Sequence, residues 1–321
     1  MKQPGTVLVT GATGFVGRAL VPHLLGAGVR VVAVYRGALP EDVCEGARWV
    51  RMSGMGPESD WRPLLEGCDA VIHLAARVHV MAETISDPLV EFRQVNVAAT
   101  ERLASHAVQS GVKRFVYLSS VKVNGEETLT GCAFCPDDEP APEDPYGVSK
   151  HEAELALRRI ESETGLEVCI IRPPLIHGPG VKGNLRVMMR WLARGVPLPF
   201  ASLENRRSMV GLDNLVHLVG VCLNHPKAGG ETFLVSDGRD VSTPELLSMT
   251  ACSMGRKPRL FSVPPAILKR TLAFLGKREL ARRLCGNLQV DISKTKDILG
   301  WAPAVDVEVG LKKMAAAEKC S

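Results

Sequence analysis

Tyr146 and Lys150 stand four residues apart in the run PYGVSKHEAEL, and Ser120 closes the apolar run RFVYLSS. These residue types can move a proton onto and off an oxygen atom. A tyrosine with an ordinary pKa of about 10 is a poor base near neutrality. A lysine four residues later on a helix lies on the same face, and its charge would favour the phenolate and lower the tyrosine pKa. The phenol then becomes a usable acid or base toward a hydroxyl or carbonyl. A serine hydroxyl at the carboxyl end of a strand can hold the same oxygen. No side chain supplies a hydride, so redox chemistry here needs a nicotinamide. A surface tyrosine and lysine at helical spacing are the competing reading, and the surrounding elements decide between the two.

A glycine turn comes first among those elements. VTGATGFVGRAL (9–20) carries Gly11, Gly14 and Gly17 between a strand-like run and a helix-like one. Glycine allows a tight turn and close approach of backbone to a diphosphate, and Gly17 allows close helix–sheet packing. The diphosphate would sit on the free N–H groups of the helix N-terminus. The spacing G-x-x-G-x-x-G is not the G-x-G-x-x-G fingerprint, and a plain strand-to-helix turn would also fit.

Strand-like runs at 6–10, 29–35, 47–52, 70–76, 114–120 and 167–173 alternate with helical patterns at 15–27, 88–110 and 147–164. This alternation predicts an α/β fold with a doubly wound parallel sheet. Pro22 falls inside the first helical pattern and is expected to bend it. The prolines and glycines of 173–183 mark a boundary. A dinucleotide-binding unit is expected over 1–173, with a smaller substrate-binding region over 174–321, part of it returning to the sheet. That second region is read as a helix near 184–194, a strand near 231–236 and a helix opened by Ser242, Pro244 and Glu245 as a capping box. The ligand cleft is expected between the sheet and this region.

Composition narrows the setting. Hydrophobic residues make up 45% of the 321, enough for a sizeable core, and the net charge of +4 is too small to argue for nucleic acid. No apolar run is long enough to span a membrane, and no signal peptide is read at MKQPGTVLVT. Nucleic acid and membrane are therefore not expected partners. Nine scattered cysteines fit a reducing cytoplasm, and the pair Cys132 and Cys135 is read as incidental loop thiols with no metal.

The glycine spacing resembles that of the extended short-chain dehydrogenase/reductase family of nucleotide-sugar epimerases, reductases and dehydratases. Further segments resemble the family's motifs in order and distance: HLAA (73–76), VN (95–96), LSS (118–120), YGVSK (146–150), RPPLIHGPG (172–180) and RRSMVGLDNL (206–215). The resemblance covers nearly the whole chain. It implies that Tyr146 carries the proton, that Lys150 holds the nicotinamide ribose and tunes Tyr146, and that Ser120 binds the reacting oxygen. It implies cofactor contacts from Gly11, Gly14, Phe15, Val16, Gly17, Arg36, Leu74, Ala75, Ala76, Asn96, Tyr146, Lys150 and Pro173. Substrate contacts are implied for Ser120, Asn184 and Arg207, with arginine suited to a diphosphate.

Family 4,6-dehydratases place Asp–Glu directly after the serine or threonine, whereas this chain has Val121 and Lys122. Redox chemistry at one carbon remains, and the resemblance implies that this is C4 of a UDP-sugar. SSVKVNGE (119–126) resembles reductases of UDP-4-keto-6-deoxy-N-acetylhexosamines, which make sugars for surface polysaccharide, and UDP-hexose 4-epimerases are the alternative. A non-catalytic dinucleotide sensor is a distant third. Pro174 stands where the family often has a sugar-contacting asparagine. NAD would call for an acid about 20 residues beyond the glycines, but VYRG (34–37) offers Arg36 and RMSGMG (51–56) offers no aspartate. NADP(H) is therefore favoured over NAD(H). The resemblance also implies a homodimer through 88–110 and 147–164. The basic cluster Lys269, Arg270, Lys277, Arg278, Arg282 and Arg283 is read as a solvated face, one member of which is a candidate to reach the diphosphate.

Overall fold

Short β-branched runs that must be buried on both faces build the centre of the protein. The computed structural model describes residues 5–41, 43–78 and 87–319; Met1 to Pro4 of the N-terminal run and Cys320 lie outside them. The strands are β1 Thr6–Thr10, β2 Arg30–Tyr35, β3 Arg48–Arg51, β4 Ala70–His73, β5 Arg114–Leu118, β6 Glu167–Arg172, β7 Leu175–His177, β8 Met209–Gly211 and β9 Thr232–Leu234. Seven of them form one parallel sheet in the order β3-β2-β1-β4-β5-β6-β9. β7 and β8 pair separately, also in parallel. The seventh strand, β9, comes from beyond residue 174.

Strand alternation divides the core into two layers. Val7, Val9, Val116 and Ile171 face Leu20, Val21, Leu215 and Val219 of the helices Gly17–Gly26 and Leu212–Asn224. Leu8, Phe115, Tyr117 and Ile170 face Leu103, Ala104, Ala153 and Leu157 of the helices Ala99–Gln109 and Pro145–Thr164. Strand order reverses between β1 and β4, and ligands of such sheets bind outside the carboxyl ends at that point.

Two expectations are refined and a third holds. The helix Gly17–Gly26 runs on through Pro22. The helix expected over 88–110 is three consecutive pieces, with a π-helical stretch Arg93–Ala98 between Pro88–Phe92 and Ala99–Gln109. Such stretches are frequent at functional sites, and this one carries the buried Asn96. The capping box is present: Ser242 Oγ accepts from Glu245 N at 3.2 Å, and Glu245 Oε2 accepts from Ser242 N at 2.9 Å. Cys132 and Cys135 are free thiols, and burial reinforced by Asp138, Asp291 and Asp137 pushes the Cys135 thiol up, away from the reactive thiolate. Among the described residues no group of three His, Cys, Asp or Glu side chains could hold a metal ion.

Candidate active site

The glycine turn is shaped by contact distance. Gly11 has a φ of +68°, and a Cβ there would stand 2.9 Å from the Ala75 nitrogen. A Cβ on Gly17 would stand 2.3 Å from the Gly11 carbonyl oxygen. Gly14 N donates to that same oxygen at 2.9 Å. Thr10 Oγ1 accepts from Ala75 N at 3.2 Å and lies 2.6 Å from His73 Nδ1, which holds Leu74, Ala75 and Ala76 against the turn. The ten-residue helix that follows has no acid in its first turn. Backbone N–H groups, a positive helix end and no room for side chains together fit a dinucleotide diphosphate. Val16 is buried in the core and Phe15 packs between that core and the Val181–Leu185–Met209 cluster. What these two can offer an anion is therefore backbone. Ala12 N donates to Val34 O, so the turn abuts the end of β2, just before the exposed Arg36.

Asp144 caps the helix Pro145–Thr164, its Oδ1 accepting from Gly147 N at 2.6 Å, and so sets Tyr146 in the first turn. Lys122 pairs with Asp144 and, at 2.7 Å, with Glu126. A Cβ on Gly147 would stand 2.9 Å from the Lys122 carbonyl oxygen, so the turn after Ser120 presses against this helix start. Ser120 Oγ accepts from Lys122 N at 3.3 Å, and Val121 N donates to Pro173 O at 3.0 Å. One turn along the helix, the fully buried Lys150 donates from Nζ to Leu118 O at 2.8 Å and to Tyr117 Oη at 3.2 Å. Its Nζ is 6.0 Å from the Tyr146 ring centre. Asn96 receives the Arg77 N–H on Oδ1 and donates from Nδ2 to Arg77 O and Ser149 Oγ; Ser149 Oγ in turn donates to Tyr146 O. The structure thus gathers Ser120, Tyr146, Lys150, Asn96 and Pro173 at the carboxyl ends of β5 and β6.

The expected direction for Tyr146 is corrected here. Burial, with the Asp144 carboxylate adding to it, pushes the phenol well above its ordinary value. Desolvation takes Lys150 from 10.5 down to about 7, partly offset by Glu154. A lysine this buried is not a fixed charge, and the same dry surroundings disfavour the phenolate. His73, beneath Lys150, is lowered to about 3 by burial and by the lysine, and stays neutral.

The expected substrate residues are less closely gathered. Arg207 is part-buried, donates from Nη1 to Gly286 O at 3.1 Å and is lowered by desolvation, opposed by Glu126 and Glu127. Asn205 lies within an open cavity of about 530 Å³ that Glu127, Lys269, Cys285 and Asn287 also line. Asn184 is exposed in the first turn of Gly183–Ala193, and its side chain makes no hydrogen bond among the described residues. Of the basic cluster, Arg282 pairs with Glu143 and Arg283 with Glu279, while Lys269 reaches the cavity.

Sequence reasoning missed Tyr117, Ser119, Glu154 and Arg172. Glu154 Oε1 and Oε2 accept from Arg172 Nε at 3.0 Å and Nη2 at 2.6 Å, and Oε1 also accepts from Ser119 Oγ at 2.5 Å. The available signal was Glu154 one turn beyond Lys150 on the same helical face.

Comparison with known proteins fits this geometry. The NAD dependent epimerase/dehydratase family matches residues 7–236, and the chain belongs to it. It is 44% identical over 318 residues to a UDP-glucose 4-epimerase of Vibrio cholerae, covering 98% of this chain and 96% of that one. A solved structure of MoeE5 in complex with UDP-glucose and NAD superposes with a TM-score of 0.79 at 27% identity, covering 98% of this chain and 99% of that one. A UDP-glucuronic acid 4-epimerase from Bacillus cereus in complex with NAD shares the fold, with a TM-score of 0.79 at 21% identity, over 98% and 96% of the two chains. The protein is an enzyme of the extended short-chain dehydrogenase/reductase kind.

Lys150 makes a pH-dependent prediction. Its pKa falls from 10.5 to about 7 on folding, so between those values the unfolded chain holds a proton that the folded one has released. Stability from this group therefore rises with pH across that window and is lowest below it. Relative to Lys150→Met, nucleotide-free wild type is expected to gain on the order of 2–3 kcal/mol between about pH 7 and pH 9. Urea unfolding of both proteins across that range measures it, and parallel curves would contradict the buried, depressed lysine.

Proposed function

We propose that this enzyme moves a hydride to and from C4 of a UDP-linked hexose or N-acetylhexosamine, acting as a UDP-sugar 4-epimerase. The observation that carries the reading is the buried Lys150 one helical turn from the half-buried Tyr146 beside Ser120, with Val121 and Lys122 next in line where 4,6-dehydratases carry acids. The 44% identity to a protein named UDP-glucose 4-epimerase supports it. In this reading Ser120 Oγ donates a hydrogen bond to the sugar O4, and Tyr146, ionised when a charged Lys150 stands beside it, takes the O4 proton on Oη as the C4–H bond breaks. The turn of Gly11, Gly14 and Gly17 with Lys150 would hold a nicotinamide dinucleotide, which would supply the hydride chemistry at C4. After the keto-sugar turns over, Tyr146 gives the proton back to O4, so no net oxidation occurs. Lys150 lies close enough to support the phenolate whenever it is charged, Asn96 holds the helix backbone behind Tyr146, and Arg207 is assigned to the diphosphate with Asn184 beside it.

A second reading, reduction of a UDP-4-keto-6-deoxy-N-acetylhexosamine for surface polysaccharide, is favoured by Arg36. That guanidinium stands exposed past β2 beside the glycine turn, with no acid at 34–37 to select a free ribose 2′-hydroxyl. A reductase consumes a hydride each turnover, which suits exchangeable NADPH. Under either reading we assign the enzyme to the cytoplasm. We also assign a homodimer through the helices around 88–109 and Pro145–Thr164. These are tied together by Arg93–Glu152 at 2.6 Å and Arg159–Glu101, and they expose Val90 and Leu155.

Two outcomes are expected. Enzyme as purified should interconvert UDP-glucose and UDP-galactose, or the N-acetylated pair, without added cofactor. Tyr146→Phe should keep its fold and bound NAD but lose about 10²–10⁴-fold in turnover. No interconversion, with stoichiometric NADPH oxidation by the keto-sugar, would install the reductase reading instead.

Cofactor titration tests Arg36 separately. Arg36→Ala should weaken NADPH by roughly 10- to 150-fold, the worth of a charge-assisted phosphate pair, and leave NADH unchanged. Equal losses for both cofactors would place Arg36 on the adenine rather than on a 2′-phosphate.

Light scattering on Leu155→Glu is expected to report a monomer where wild type reports a dimer. A wild-type monomer, or a dimer in both, would refute that interface.

A further inference from the structure

The segment 256–283 has nine basic residues and one acid, Glu279, in a chain whose total charge is +4. The rest of the chain is therefore net acidic, and the positive charge is gathered in one place. The same segment carries four of the large apolar side chains left in solvent. Phe274 is 91% exposed, Leu275 59%, Ile267 55% and Phe261 48%.

The helix Pro265–Phe274 explains how both arise together. Leu268 and Leu272 turn inward onto Leu192, Leu198, Phe200 and Leu247. Ile267, Arg270, Thr271 and Phe274, spaced three and four apart, form the outward stripe. The helix ends in a glycine turn, Gly276 at φ +70°, which leads into Lys277 and Arg278. Phe274 and Leu275 thus project at a tip flanked by cations. Among the described residues, no ion pair engages Lys269, Arg270, Lys277 or Arg278, in contrast to Arg282 and Arg283.

We propose that this helix and turn dock on the surface of an anionic phospholipid bilayer. A basic rim around exposed apolar side chains is the pattern of a helix that lies in a membrane interface. Its apolar face enters the headgroup–acyl boundary and its cations meet lipid phosphates. The chemistry argues against other occupants. A second copy meeting this face through a two-fold axis would set like charges against each other. Nucleic acid uses cations with stacking rings, and although Phe274 and Phe261 carry rings, Leu275 and Ile267 beside them cannot stack, whereas all four can enter an acyl boundary. No helix among the described residues is long and apolar enough to cross a membrane, so contact would be peripheral. The sequence expectation of no membrane partner rested on the lack of a span, and the proposal concerns peripheral contact alone.

Co-sedimentation with large unilamellar vesicles tests the proposal, using phosphatidylcholine alone and phosphatidylcholine mixed with phosphatidylglycerol. The full chain should pellet only with the mixed vesicles, and added salt should release it. Reversing two surface cations, Lys277→Glu with Arg278→Glu, should weaken partition at least about 30-fold, from roughly fivefold per basic residue. Phe274→Ser with Leu275→Ser should weaken it too, even at low salt. Both double variants should keep wild-type circular dichroism and NAD binding, since neither pair packs in the core. No pelleting with phosphatidylglycerol at low ionic strength would overturn the proposal, as would unchanged pelleting of both variants. Loss of RNA binding, of self-association or of an acidic protein partner in these variants, with no vesicle binding by wild type, would overturn it as well.

Discussion

Glu154 and Arg172 face each other in the interior, each about 5% exposed, and much of the candidate site hangs on their pairing. Glu154 lies on the helix that carries Tyr146 and Lys150, and Arg172 is the last residue of β6. Ser119, next to Ser120, donates to the same carboxylate. The far side of the guanidinium donates from Nη1 to Asn124 Oδ1 at 3.0 Å and to Pro136 O at 3.2 Å. One ion pair therefore fixes a helix, two strand ends and the loop after Ser120 against one another. Breaking such a pair by removing one partner typically costs about 3–5 kcal/mol, because a charge is left buried without compensation. Its geometry is bidentate, the form in which buried arginine–carboxylate pairs are most directional.

A second buried network holds the cofactor side of the sheet. Thr10, His73 and Thr100 run in a chain from β1 through β4 to the helix Ala99–Gln109, with His73 Nε2 2.9 Å from Thr100 Oγ1. Thr100 Oγ1 donates to Asn96 O at 2.8 Å, which joins this chain to the π-helical stretch. Neutral His73 can serve here because burial and Lys150 keep it uncharged. The glycine turn and the Tyr146 helix are thus supported by two polar networks that meet near Lys150. Packing supplies the remainder, with Tyr117 stacked on His73 at 5.7 Å between ring centres and Lys150 Nζ 4.4 Å from the Tyr117 ring centre.

Holding a lysine in these surroundings is unfavourable for folding, and the networks around it are what make the position tolerable. The same dryness that depresses Lys150 would strengthen any charge interaction formed when substrate and cofactor enter. The outward face of the later region follows the opposite logic: its cations stay in water, and its apolar side chains are left without a protein partner.

Local sequence determined a good deal of this protein. Short β-branched and apolar runs placed all six of the early strands, because burial on both faces is written in neighbouring residues. The turn at Gly11, Gly14 and Gly17 was legible because only glycine tolerates a Cβ position 2.3 Å from a carbonyl oxygen. Ser242 and Glu245 were legible because a capping box is closed within four residues. The three-residue strands β7 and β8 were not, since elements so short carry no period. Glu154 with Arg172 is 18 residues apart, and His73 with Thr10 is 63. Nothing local marks such partners; only the fold brings them together. Tertiary structure also reversed the expected direction for Tyr146. Spacing shows that Lys150 is one turn away, but the free energy of its charge depends on the solvent excluded around both groups. That exclusion comes from β5, the π-helical stretch and the buried networks, all assembled from distant parts of the chain.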